Sequence, residues 1–230
     1  WSSDVCSSDL KAEMKTLRSA GLRLLQTYAD LSDTKGHLLD EVLGAAVPLQ
    51  WAHYPPDDAI DLSSGFQWFY HSHSPEDRPV GSEHGHIHLF ARRPLWSRRL
   101  QSRSEIEFRR ICGSENTQTH TRHLLAIGLN AKGLPISLFT VNSWVTGDQM
   151  LSTKLTMQLL ASIQLKTGHP RVDAVIESVV HLCLPEVESV LQKRDAKLAS
   201  FTGANKLQNL GLELLSELPI DLDGKLKRLM

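Results

Sequence analysis

Five histidines stand at alternate positions in two short runs, Phe69-Tyr70-His71-Ser72-His73 and Glu83-His84-Gly85-His86-Ile87-His88-Leu89-Phe90. In an extended strand, side chains two residues apart share a face. His71 and His73 therefore share one face, and His84, His86 and His88 share one on the second run. The interleaved positions, Trp68, Tyr70 and Ser72 on the first run and Gly85, Ile87, Leu89 and Ala91 on the second, are mostly apolar and read as a core face. Imidazole is the commonest protein metal ligand and the side chain that titrates nearest neutral pH. Zinc, iron, manganese and nickel sites draw on histidine and carboxylate ligands. The pattern thus predicts a transition-metal site with His71, His73, His86 and His88 as ligands. Glu83 and His84 are the catalytic candidates, Glu83 as a further ligand or a general base. His53, Asp57 and Asp61 precede the cluster and can fold over it.

These residues need strands to carry them. The composition of residues 66–73 and 84–92, rich in aromatic and branched side chains, predicts two strands. Antiparallel pairing that sets His71 opposite His88 and His73 opposite His86 would bring four imidazoles together, since opposed Cβ atoms lie about 4.5–5.5 Å apart. The intervening loop carries Pro75, Pro79 and Gly81. A second hairpin is expected from 123–129 and 136–141, around Asn130-Ala131-Lys132-Gly133. Residues 11–45 read as two helices, with Ser32 or Asp33 capping the second. Pro55, Pro56, Asp57 and Asp58 predict a loop. From 148 onward the apolar spacing is helical, with Pro185 opening the third helix of that part. Residues 212–218 suit a short strand or a helix.

The fold class that follows is α+β. A central, mainly antiparallel sheet is flanked by N-terminal helices and a C-terminal helical bundle. Residues 11–230 form one domain, divided into a helical part (11–45), a His-rich sheet (46–148) and a mostly helical part (149–230). Residues 1–10 resemble the in-frame translation of a sequencing adapter and are set aside from fold reasoning.

Other features are weaker sources of chemistry. A formal net charge of −1 gives no pull toward nucleic acid or membrane. No apolar run reaches the length of a membrane span. Cys112 and Cys183 form no CxxC pair and no disulfide framework, which fits a cytoplasmic protein. The Arg-rich stretch 93–120 is diluted by Glu105 and Glu107 and reads as a solvated, mobile insertion rather than a nucleic-acid surface. Thr146 or Asp148 reads as a helix N-cap, Trp144 as core or pocket wall, and Arg194 with Asp195 as a surface pair.

Three resemblances bear on the His runs. Gly65 followed by His71-Ser72-His73 is similar to the first cupin motif, which implies metal binding by the two histidines and a following Glu, for which Glu76 comes one residue early. His84-Gly85-His86-Ile87-His88-Leu89-Phe90 resembles the histidine triad of nucleotide hydrolases and transferases, which implies that His86 attacks a phosphate. The longer series of YHSH, EHGHIHLF and FTVNSWVTG resembles a bacterial family of unknown function and implies no activity.

The residues point first to metal binding on the histidine face, in a small-molecule enzyme or a metal sensor. For an enzyme, metal-activated water or substrate coordination is the economical mechanism. The rival readings are a metal-free, triad-like nucleotide hydrolase or transferase, and a pH-responsive interaction module. Oligomeric state is left open.

Overall fold

The computed structural model describes residues 2–44, 47–72, 83–113, 119–203 and 205–229, with side chains from residue 11 onward. The chain opens with a long helix, α1 (Ser2–Asp33), and one turn, α2 (Asp40–Leu43). Strands β1 (Tyr54–Ile60), β2 (Phe66–Ser72) and β3 (Glu83–Arg92) follow, then helices α3 (Arg93–Trp96) and α4 (Arg103–Cys112). Strands β4 (Thr121–Asn130) and β5 (Pro135–Val141) form the second hairpin, followed by the turn α5 (Ser143–Thr146) and the short β6 (Gln149–Met150). Helices α6 (Thr153–Ala161), α7 (Pro170–Leu182) and α8 (Leu184–Ser200) lead to β7 (Leu214–Pro219) and α9 (Leu222–Leu229).

The architecture is the expected α+β. The strands form one sheet in the order β1-β2-β3-β4-β5-β7, antiparallel throughout, with β6 paired in parallel to one end of β4. One face of the sheet is the main core. Trp68, Tyr70, Ile87, Leu89, Leu125, Ile127, Leu129 and Leu138 pack there with Leu24 and Leu31 of α1, Val175, Val179 and Val180 of α7, and Val190 and Leu191 of α8. The apolar stripes of the helices and the period-2 alternation of the strands are the cause, because each element buries the side that water disfavours.

Several elements differ from the sequence reading. β1 stands where a loop was expected. Its prolines occupy an edge strand, where a missing N–H costs no ladder bond, and the Tyr54-Pro55 peptide is cis. α1 continues through Ser32 and Asp33, and α2 has no side-chain cap. Within the Arg-rich stretch, Arg93–Trp96 and Arg103–Cys112 are the helices α3 and α4. Ser102 caps α4 by accepting from the Glu105 amide, Gly113 closes it in the left-handed conformation, and Trp96 and Phe108 are buried. Asn142, rather than Thr146 or Asp148, caps α5 by accepting from the Ser143 amide. Arg194 is no surface residue. It is fully buried, donates to Leu151 O at 2.8 Å and lies over the Phe108 ring at 4.7 Å. Residues 214–219 resolve the open choice as a strand.

The β2–β3 register also shifts by two residues, pairing His71 with His86 and Ser72 with Gly85. The reason is steric. A Cβ at Gly85 would lie 2.4 Å from the Tyr70 hydroxyl and 2.6 Å from the His71 carbonyl, so only glycine fits there. The expected pairing would put Ile87 in that place.

Candidate metal centre

His71 on β2 and His86 and His88 on β3 meet on the sheet face opposite the main core. Their candidate ligand atoms all lie within 4.8 Å of one another. Ring centroids are 4.2 Å apart for His71–His86, 4.5 Å for His86–His88 and 5.2 Å for His71–His88. All three are buried, with His88 fully so.

Two further side chains reach this face through breaks in strand alternation. On β3, Glu83 pairs with Asn130 and Gly85 with Leu129, so His84 is an extra residue. Such a bulge re-aims the chain beyond it. Glu83 thereby turns onto the histidine face, where its Oε1 lies 2.8 Å from His86 Nδ1 and its side chain is only 5% exposed. Gly128 makes the room, since a Cβ there would come within 2.7 Å of Glu83 Oε2. On β4, Leu89 pairs with Leu125 but Phe90 with His123, so Leu124 is the extra residue. Leu124 and Leu125 both enter the main core, and His123 is turned onto the site face. His123 Nε2 lies 3.0 Å from His88 Nδ1, and His86 Nε2 lies 2.9 Å from His88 Nε2. A chain of close contacts thus runs Glu83–His86–His88–His123.

The surroundings are apolar and aromatic. Phe139 meets the His86 ring edge-on at 4.9 Å, and Phe69 packs 5.1 Å from His88 and 5.4 Å from Phe90. His53 stacks flat on Phe69 at 3.6 Å, held by Asp58 at 3.0 Å, so it does fold over this face. Burial, and secondarily the positive charge of Arg194, push the His123 pKa down to about 3. The ring is neutral at any physiological pH. Burial, with Glu83's charge second, pushes Tyr70 up to about 12.

A family model for a domain of unknown function, DUF6969, matches residues 18–220. The chain belongs to the DUF6969 family. No curated protein and no solved structure matches it.

Within this DUF6969 chain, the sequence-derived site residues separate clearly. His71, His86, His88 and Glu83 come together. His84, at the β3 bulge, is exposed and is not one of the buried rings. His73 and Glu76 lie outside the described residues. Asp57 is exposed, and Asp61 accepts from the amides of Ser63 and Ser64 in the turn after β1. Alternation alone did not mark His123 as part of the cluster. The adjacent Leu124-Leu125, both apolar in a strand that otherwise alternates toward the site, is the signal that reveals it. Cys112 and Cys183 are free and buried, and burial pushes each thiol up to about 12, so neither is poised as a nucleophile. Among the described residues no helix is long and apolar enough to cross a membrane.

Proposed function

We propose that this DUF6969 domain holds a transition metal on His71, His86 and His88, leaves a coordination position open, and uses the metal in a reaction on a small molecule. The observation that carries the reading is the mutual approach of three buried imidazoles within 4.8 Å. Ligand nitrogens of a tetrahedral zinc, at about 2.05 Å from the ion, stand about 3.3 Å apart. The 2.9 Å His86–His88 contact and the 4.8 Å outer limit bracket that spacing. Three protein ligands with a free fourth position are the pattern of catalytic rather than structural zinc sites.

The donor set narrows the metal. Three nitrogens and no thiolate suit zinc, iron or nickel. Manganese, which prefers carboxylate oxygens, is less favoured, because Glu83 is turned toward His86. That contact supports Glu83 as the outer carboxylate of a carboxylate–histidine–metal arrangement, fixing the His86 proton on Nδ1 and raising the basicity of Nε2. A metal there would lower the pKa of a bound water and supply hydroxide at neutral pH. The Phe69, Phe90 and Phe139 wall supports a site that excludes bulk water. A role for His73 as a fourth ligand rests on strand alternation alone. His84 is exposed whereas His86 and His88 are buried, which favours this reading over the metal-free triad.

Elemental analysis by mass spectrometry tests it, on wild type beside His71→Ala/His86→Ala. About one equivalent of a transition metal in the wild type and none in the double variant is the expected result. No metal in either protein, after reconstitution with zinc, iron and nickel, would overturn the reading. Nucleotide hydrolysis insensitive to EDTA would then become the assay of choice.

A further inference from the structure

His123 belongs to no ligand set, yet a bulge is spent on bringing it to His88. Hydrogen-bond donors and acceptors along the chain explain why. An ionised Glu83 accepts the Nδ1–H of His86 at 2.8 Å, so His86 presents a bare Nε2. His88 Nε2, 2.9 Å away, must then be the donor. A neutral ring with Nε2–H has a bare Nδ1, so the proton of the next contact belongs to His123 Nε2. His123 Nδ1 is left as a bare lone pair. It is a buried atom without a hydrogen-bond partner among the described residues.

This arrangement places a proton where a metal has to sit. His88 Nε2 cannot carry hydrogen and coordinate an ion at once. We propose that His123 is a positioning residue for the metal centre, and that a paired change of tautomer in His123 and His88 frees the His88 Nε2 for the metal. The proton count balances. One proton leaves His88 Nε2, the Nε2 proton of His123 crosses to His88 Nδ1, and one proton is taken up at His123 Nδ1. Each ring still carries one proton, and His123 Nε2 now accepts from His88 Nδ1–H. His123 thus does for His88 what Glu83 does for His86. This inference rests on the metal reading of the same three histidines.

Zinc affinity, measured by chelator competition on the purified chain, and histidine nitrogen shifts in a ¹⁵N-labelled sample test it together. His123→Leu offers no acceptor to His88 Nδ1–H and is expected to bind zinc about 10–100-fold more weakly. His123→Gln can accept through Oε1 without any change of tautomer, and is expected to bind as tightly as wild type or tighter. In the wild type, the His88 proton is expected on Nε2 without zinc and on Nδ1 with it, and the His123 proton is expected to move likewise. Wild-type affinity in a folded His123→Leu variant, or a His88 proton that does not move on zinc binding, would overturn the proposal while leaving the site intact. If His123→Leu fails to fold, the wild-type nitrogen shifts decide. Failure of the wild type to bind zinc would instead remove the metal reading and this inference with it.

Discussion

Two clusters of buried polar side chains lie on opposite sides of the same sheet, and their hydrogen bonds run in different directions. On the main-core side, three acids surround residues 162–169, the link between α6 and α7. Asp173 accepts from Trp68 Nε1 at 2.9 Å, from the Thr167 amide at 2.8 Å and from the Thr167 hydroxyl at 2.7 Å. Asp61 accepts from the amides of Ser63 and Ser64 and from that of Lys166. Glu177 accepts from the Leu165 amide and pairs with Arg23. These carboxylates hold main chain that would otherwise be buried without partners. On the other face, Glu83, His86, His88 and His123 bond in series to one another. The depth of burial is alike in the two clusters. What separates a scaffold from a candidate reaction centre is whether the polar groups satisfy the backbone or one another.

The contrast can be broken from either side. The largest expected effect is on metal. His88→Ala removes a ligand and the middle of the chain, and should lower zinc affinity by more than about 100-fold in chelator competition, a larger loss than removal of an outer partner. The ring is fully buried, so its loss also leaves a cavity, at a cost of about 2–5 kcal/mol in unfolding free energy. Asp173→Ala should cost stability without touching the metal. It strands the Trp68 indole and the Thr167 amide, and hydrogen bonds to a charged group contribute about 1.5–3 kcal/mol each. A loss of at least about 3 kcal/mol in urea unfolding, with zinc affinity unchanged, is the expected outcome. A zinc defect in Asp173→Ala would erase the distinction between the clusters.

Gly128→Ala sharpens the comparison on the histidine side. The new methyl meets the Ser137 hydroxyl at 2.4 Å and Glu83 Oε2 at 2.7 Å. The push on Glu83 should weaken zinc binding about 10-fold, with a stability loss of about 1–3 kcal/mol from overpacking. The smallest effect is a pH dependence on the acid side. Burial pulls the Asp61 carboxyl up, but hydrogen bonds from the Ser63 and Ser64 hydroxyls and amides outweigh it and hold the group well below the usual carboxylate range. A folded-state value below the unfolded one, near about 4, contributes stability that is present above pH 4 and lost as pH falls below it. Urea midpoints followed from pH 5 to pH 2 should therefore fall less steeply in Asp61→Asn than in wild type. An unchanged slope would remove Asp61 from the acid-sensitive groups.

Much of this site was legible from alternation. The shared face of His71, His86 and His88, and the apolar character of Trp68, Tyr70, Ile87 and Leu89 on the other side, follow from period 2 alone. Alternation is blind to a shift of two residues, which preserves every face, so the pairing of His71 with His86 needed the close approach at Gly85. It is equally blind to an inserted residue. The bulges at His84 and Leu124 brought in Glu83 and His123 and left His84 exposed. Composition misled where tertiary context prevailed. The prolines of β1 sit on an edge, and the arginines of α4 hid a cap that Ser102 and Glu105 spell out three residues apart. Arg194 looked like a surface residue because nothing near it in sequence announces the Phe108 ring and Leu151 carbonyl that receive it.

The two bulges also bear on how this chain tolerates changes in its own length. Loss of one residue from a strand ordinarily inverts every side chain beyond the gap. At His84 and at Leu124 the opposite holds. Removing either extra residue straightens the ladder and leaves Glu83 or His123 facing the same way as before. A codon lost between Gly85 and His88, by contrast, turns part of the cluster into the hydrophobic core. Along these two strands, His84 and Leu124 are therefore the joints where a deletion is survivable for the site, and the residues between them set a length that must be kept.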